Sequence, residues 1–93
     1  MTDVIKRDGK MEPFRPEKIR RSVEGAVKDA GFNPGQKMDV IEHASQDAIQ
    51  MTQNMDQVEV KQIRDTILND LEQDDQQVAQ AWKNYEQQHG ITF

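Results

Sequence analysis

Apolar residues recur along most of this chain with the period of an amphipathic helix, and the exceptions are its first residues and one short interior stretch. Ile19, Val23, Ala26, Val27 and Ala30 fall at i, i+4, i+7, i+8 and i+11, a single stripe on a 3.6-residue repeat. The spacing predicts a helix from about Pro16 to Ala30. Pro16 suits the first helical position, where its missing N–H costs nothing, and Glu17 favours the positive helix end. Gly31 ends it, and Phe32-Asn33-Pro34-Gly35 is expected to be a loop. A second helix is expected from about Met38 to Asn54, with Met38, Ile41, Ala44, Ala48 and Met51 inward. Lys61 to Glu72 reads as a third, turned inward on Ile63, Ile67, Leu68 and Leu71. Asp74 or Asp75 caps a fourth, in which Val78, Ala81, Trp82 and Tyr85 keep helical spacing to about His89, before Gly90 stops it.

Two segments depart from that period. Val4-Ile5-Lys6-Arg7 is β-prone and is followed by Asp8-Gly9, the residue pair a type I′ hairpin turn asks for, since both central positions need φ > 0. Lys10-Met11-Glu12-Pro13-Phe14 then returns as a second strand, with Pro13 at a free edge or strand end. Gln57-Val58-Glu59-Val60 alternates and is short, which fits a third strand or an extended lead-in to the third helix. A hairpin followed by four helices, with one extra strand, is an α+β pattern dominated by helix. The 93 residues make one domain, 1–93, near the small end of what buries an independent core.

Composition narrows the function classes. Apolar residues are 34% and charged residues 31% of the chain, enough for a thin core under a large polar surface. No stretch approaches the roughly 20 apolar residues of a membrane span. The opening residues lack the basic and apolar regions of a secretory signal, so a cytoplasmic location is expected. Without cysteine there is no disulfide framework, thiolate zinc site or cysteine nucleophile. The net charge of −5 argues against a nucleic-acid binder, but the charge is unevenly spread. Residues 1–21 hold seven of the twelve basic side chains and four acids, whereas the remainder holds five basic and thirteen acidic residues. A local positive patch on an acidic body suits a small anion better than a long polyanion.

Catalytic constellations fail one by one. His43 and His89 lie in different helices and outside any ligand-spaced motif, so both read as solvated or partly packed residues, and no metal site is expected. Asp74-Asp75 is better explained by helix capping than as a catalytic carboxylate pair. Ser22 and Ser45 have no Gly-rich elbow and no nearby His. Neither of the usual glycine-rich phosphate loops occurs. The methionines read as core or edge filler, and Trp82 and Tyr85 as core anchors with their polar ends near the surface.

A different anion site fits the residues. Strand alternation places Val4 and Lys6 on one face and Ile5 and Arg7 on the other. The hairpin brings Lys6 or Arg7 beside the start of the first helix, where free N–H groups favour an anion and Lys18 adds charge. Glu12 is placed to accept from an adenine amino group or a ribose hydroxyl, or else to pair with Lys10 across the turn. A solvated charged hairpin beside a capped helix explains the same residues equally well.

The run from Val4 through Ser22, with Lys6-Arg7-Asp8-Gly9 and Glu12-Pro13-Phe14-Arg15-Pro16-Glu17-Lys18-Ile19, resembles the opening of the ATP-cone family. Val58-Glu59-Val60-Lys61-Gln62-Ile63-Arg64-Asp65 is similar to the start of that family's third helix, and Val78-Ala79-Gln80-Ala81-Trp82-Lys83-Asn84-Tyr85 to its closing helix. The resemblance implies a four-helix bundle capped by a small three-stranded sheet. It also implies a regulatory domain that binds ATP or dATP, of the kind found in ribonucleotide reductase large subunits and in the repressor of their genes. By that likeness Val4 and Ile19 line the base pocket, Lys6, Arg7 and Lys18 meet the phosphates, and Glu12 and Arg15 flank the nucleoside. Val60 and Arg64 complete the nucleotide-binding set. The resemblance leaves open whether magnesium enters with the nucleotide.

The sequence departs from the family pattern at three places. Arg15 stands where many members carry Asp or Asn, which removes a cap acceptor worth about 1 kcal/mol. Arg64 stands where His or Gln is common. Glu86-Gln87-Gln88 replaces a region in which members often present Lys or Arg to the phosphates. The zinc ribbon of the gene repressor needs cysteines, so the repressor itself is excluded. The expected function is a free-standing, non-catalytic ATP/dATP sensor acting on a partner protein or a second copy of itself. The alternatives are an interaction module that keeps the fold and has lost nucleotide affinity, and a fragment of a larger reductase.

Overall fold

The computed structural model describes residues 2–90, so Met1 and residues 91–93 of the expected domain lie outside the described residues. The architecture is α+β, as the periodicity indicates. Strand β1 (Asp3–Ile5) pairs antiparallel with β2 (Met11–Pro13) and parallel with β3 (Gln57–Glu59), giving the order β2-β1-β3. Helices α1 (Pro16–Asp29) and α2 (Met38–Thr52) lie between β2 and β3 in the chain, and α3 (Val60–Asp74) and α4 (Gln76–His89) follow β3. Each packs against two others, α1 on α2 and α4, and α3 on α2 and α4, so that the four close into a ring around one core.

Pro13 does sit on an edge strand, where its missing donor is harmless. The turn before it is not of the primed type. Within the turn Gly9 alone has positive φ, at 87°, and no non-glycine residue among the described residues does. The Gly9 amide donates to the Lys6 carbonyl (2.9 Å), and the Lys6 amide donates to the Lys10 carbonyl (2.7 Å). The loop is therefore the three residues Arg7, Asp8 and Gly9, with the glycine in the left-handed position after a tight turn. Asp8 takes a different part: its Oδ1 accepts from the Lys10 amide at 3.0 Å.

β3 is a true strand, and Val58 lies in register with Val4; both are buried, at 1% and 4% exposure. The two valines fasten the sheet to the helices, each burial stabilising by about 1.5–3 kcal/mol. Thr2 ties the start of the sheet down, its hydroxyl sharing one proton between the carbonyls of Thr52 and Met55, each 2.8 Å away.

The helix ends follow local chemistry. Pro16 begins α1 with no side-chain cap from Arg15. Gly31, at φ 93°, ends it. The Gly31 amide bonds to the Lys28 carbonyl and the Phe32 amide to the Val27 carbonyl, the paired pattern of a Schellman stop. The expected loop after it contains a 3-10 helix, Pro34–Lys37, closed by a capping box between Asn33 and Gln36. Glu59 and Gln62 box the start of α3 in the same way, which moves its first residue to Val60. Asp75, rather than Asp74, caps α4 through bonds from the Gln77 and Val78 amides.

Three inward assignments are corrected. Met38 is 52% exposed, because it opens α2 where the helix emerges from the 3-10 turn, one residue outside the packed stripe. Tyr85 is 42% exposed, its ring leaning on His89 with centroids 4.6 Å apart. In α4 Ala79 is the fully buried alanine, and Ala81 is only half-buried. Trp82 is buried as expected, with its Nε1 donating to Glu86.

Candidate nucleotide site

The edge where β1, β2 and the start of α1 meet carries a narrow pocket lined by Val4, Lys6, Glu12, Pro13, Phe14, Arg15, Lys18, Ile19 and Ile63. The strand register explains why these residues converge. Val4 lies directly opposite Glu12, so the two share a face, and Lys6 joins that face two residues on. Buried Ile19 rises from the first turns of α1, and buried Ile63 from α3, to give the pocket an apolar floor. Lys6, Arg15 and Lys18 provide the cationic rim. The uncapped start of α1 lies beside that rim, adding the partial positive charge of free backbone N–H groups.

Glu12 bonds within this face rather than across the turn. Its carboxylate is 3.5 Å from Lys6 Nζ, while Lys10 lies 4.0 Å from Asp8. The pocket is nearly filled by its own side chains, with a cavity volume of about 10 Å³, far below the usual range of about 300–1,000 Å³ for small-molecule sites.

Arg7, the first residue of the turn, lies on the other side of the hairpin. There it lines a second, wider cleft of about 300 Å³ with Lys61, Arg64, Glu86, Gln87 and Gly90. Arg64 is already engaged in that cleft. Its Nε lies 2.9 and 3.0 Å from the two Glu86 carboxylate oxygens, and its Nη2 lies 2.9 Å from Oε2. Nη1 donates to Asp65 at 2.9 Å. The Glu86 and Asp65 carboxylates hold the guanidinium pKa still higher than its ordinary value, so the charge is fixed and shared.

Of the nine residues singled out from the sequence, the structure brings six together in the pocket: Val4, Lys6, Glu12, Arg15, Lys18 and Ile19. Arg7 and Arg64 meet in the adjoining cleft. Val60 is buried in the core at 3% exposure and lines neither space. Ile63, one turn further along α3, takes the lining position instead. Sequence reasoning also missed Lys61, although it lies one helical turn before Arg64, where α-helical neighbours share a face.

The sequence pattern of the ATP cone domain matches residues 2–91. The chain belongs to the ATP-cone family. Curated protein sequences give no match. The ATP-cone domain is a nucleotide-binding regulatory domain, and the family binds ATP or dATP. In this ATP cone, no helix among the described residues is long and apolar enough to cross a membrane.

Proposed function

We propose that this domain binds ATP or dATP at the hairpin–α1 edge and transmits the occupied state to a partner protein or a second copy of the chain, without catalysing a reaction. The observation that carries this reading is the convergence of Lys6, Arg15 and Lys18 over an apolar floor of Val4, Ile19 and Ile63 at an uncapped helix start. The floor suits a purine, and the cations with the helix end suit phosphate. Arg7 and Lys61 lie in the neighbouring cleft and extend the positive surface for the distal phosphates. Because the pocket is narrow, the Lys6–Glu12 pair opens as the nucleoside enters. Glu12 then accepts from the base or the ribose, and Lys6 turns to phosphate. A regulatory role follows when the nucleotide binds two states of the assembly with different affinities.

A second reading, an interaction module with little nucleotide affinity, is favoured by one observation. The Glu86 carboxylate occupies Arg64 in the cleft where phosphate would otherwise find it. Thermal unfolding in the presence of ATP, dATP and GTP separates the two. Ligand at about 100 times its dissociation constant stabilises by about 2.7 kcal/mol, several degrees for a domain of this size. Binding predicts that shift for ATP or dATP and a smaller one for GTP. Identical curves with and without millimolar nucleotide support the second reading.

A further inference from the structure

The seam between α2 and α3 holds a second group of chemically capable side chains, distant in the fold from the hairpin. His43 and Asp47 stand one turn apart on α2, and Asp70 and Asp74 stand one turn apart towards the end of α3. Lys61 and Arg64 mark the opposite end of α3, so the two regions are separated along that helix. The facing pairs meet. His43 Nδ1 is 2.6 Å from Asp74 Oδ2, which fixes the ring and turns Nε2 towards the other two carboxylates. Nε2 lies 3.4 Å from Asp47 Oδ2 and 3.9 Å from Asp70 Oδ2. Asp70 is only 5% exposed, and its Oδ2 is buried without a hydrogen-bond partner.

A buried carboxylate oxygen without a partner is costly, and a purely structural helix seam would place an apolar residue there. Three carboxylates also gather around a single imidazole, with the Asp47 carboxylate directly against that of Asp70, so that acidic groups crowd the seam. A divalent cation meets both demands. It takes the neutral imidazole nitrogen and the unpartnered oxygen as ligands and offsets the crowding of acidic groups.

The geometry supports this. The nitrogen and the two carboxylate oxygens lie within 4.8 Å of one another. Ligands about 2.0–2.2 Å from a tetrahedral zinc ion are roughly 3.3–3.6 Å apart. The His43–Asp47 separation already meets that spacing, and Asp70 needs a small side-chain shift. The Asp74–His43 bond is the outer-shell contact by which a carboxylate fixes the tautomer of a ligating histidine.

We propose that the α2–α3 seam is a binding site for a divalent first-row transition metal, with His43 Nε2, Asp47 and Asp70 as ligands, Asp74 as the positioning residue and water completing the shell. One imidazole with two carboxylates favours zinc or manganese over magnesium, which prefers an all-oxygen octahedral shell. The ion cross-links two helices of the bundle and stabilises the fold independently of nucleotide.

The test is calorimetric titration of chelator-treated, nucleotide-free protein with zinc chloride, with manganese and magnesium chlorides in parallel and thermal unfolding as a second readout. One zinc ion per chain and a raised Tm are expected. Asp74→Asn should weaken binding about 10- to 100-fold. Asp70→Asn should abolish the zinc-induced rise in Tm while leaving the metal-free protein as stable as the parent or more so, since it removes an unpartnered buried charge. A merely structural Asp70 would not give that opposition of signs. His89→Gln should leave zinc binding unchanged. Cobalt(II) should broaden NMR signals around residues 43, 47 and 70. Absence of binding at micromolar zinc overturns the proposal. So does zinc affinity that survives Asp70→Asn but not His89→Gln, broadening centred elsewhere, or magnesium binding as tightly as zinc.

Discussion

Arg64 on α3 and Glu86 on α4 face each other as a fork on a carboxylate, with three N···O contacts between 2.9 and 3.0 Å. Trp82 Nε1 donates to the same Glu86 at 3.1 Å, so one carboxylate joins the two helices and orients the indole. The acid and the base of this pair neutralise each other, so the Arg64 charge is held by a carboxylate of the same chain. Removing the acid should therefore release a cation into the cleft. Glu86→Gln is expected to raise ATP affinity while lowering stability by about 1–3 kcal/mol, the usual worth of hydrogen bonds to a charged group. Calorimetry and urea unfolding of the variant check the two halves separately.

Lys6 and Lys18 belong to the pocket rim, and their contribution to phosphate binding should be electrostatic. Lys18→Ala is expected to weaken ATP binding about tenfold or more, from the loss of a charge-assisted bond worth about 1.5–3 kcal/mol. Lys6→Ala should behave alike, reduced by the release of Glu12 from its pair. Both deficits should shrink as salt is raised, because exposed charge is screened. Affinity measured at two ionic strengths decides this.

Gly9 is the one hairpin residue whose backbone excludes an ordinary side chain. Its φ of 87° leaves the space around a Cβ open, so any cost of substitution is conformational and not steric crowding from neighbours. Gly9→Ala should lower stability by roughly 1–2 kcal/mol, and Tm by several degrees. Asp8→Ala should cost less, since it removes an exposed bond to the Lys10 amide and a long, solvated ion pair with the Lys10 side chain.

Asp75 gives the fold a defined acid sensitivity. Lys37 Nζ lies 2.8 Å from its carboxylate and, with the capped Val78 and Gln77 amides, holds its pKa below the ordinary value. A carboxylate depressed in the folded state contributes stability above its unfolded pKa of about 3.9, and that contribution is lost as pH falls through the folded value. Asp75→Asn keeps a cap acceptor and discards the charge. The variant should be less stable than the parent at pH 6 by about 1–3 kcal/mol, and the gap should close below about pH 4. Urea midpoints at the two pH values test the sign.

Much of this was legible in the sequence, and the parts that were not share a physical origin. The stripe from Ile19 to Val27 and the Ile63–Leu71 face were readable because helical periodicity reports directly on burial. The hairpin was readable from Asp8-Gly9, but its turn type was not, because Asp-Gly serves both a two-residue turn and a glycine in the left-handed position of a longer loop. Met38 and Tyr85 lie near helix ends, where spacing continues after the packed neighbours have stopped. Lys6 and Arg7 do part, one to the pocket and the other to the cleft, although Arg7 belongs to the turn and not to the strand whose alternation was read. Arg64–Glu86 and His43–Asp70 join residues 22 and 27 positions apart, and no local pattern announces such pairs. The His43–Asp47 spacing on one helix face was the single local hint of the α2–α3 cluster.

The central claim is that an adenine nucleotide binds where β1, β2 and α1 meet. It is tested most directly by following backbone amide NMR signals of the isotopically labelled domain during titration with ATP. The account predicts that signals of residues 4–6 and 12–19 and of Ile63 move together and saturate, with smaller changes at Arg7, Lys61 and Arg64. Signals that remain still at millimolar ATP, or that move only on the α4 face around Tyr85, would contradict it.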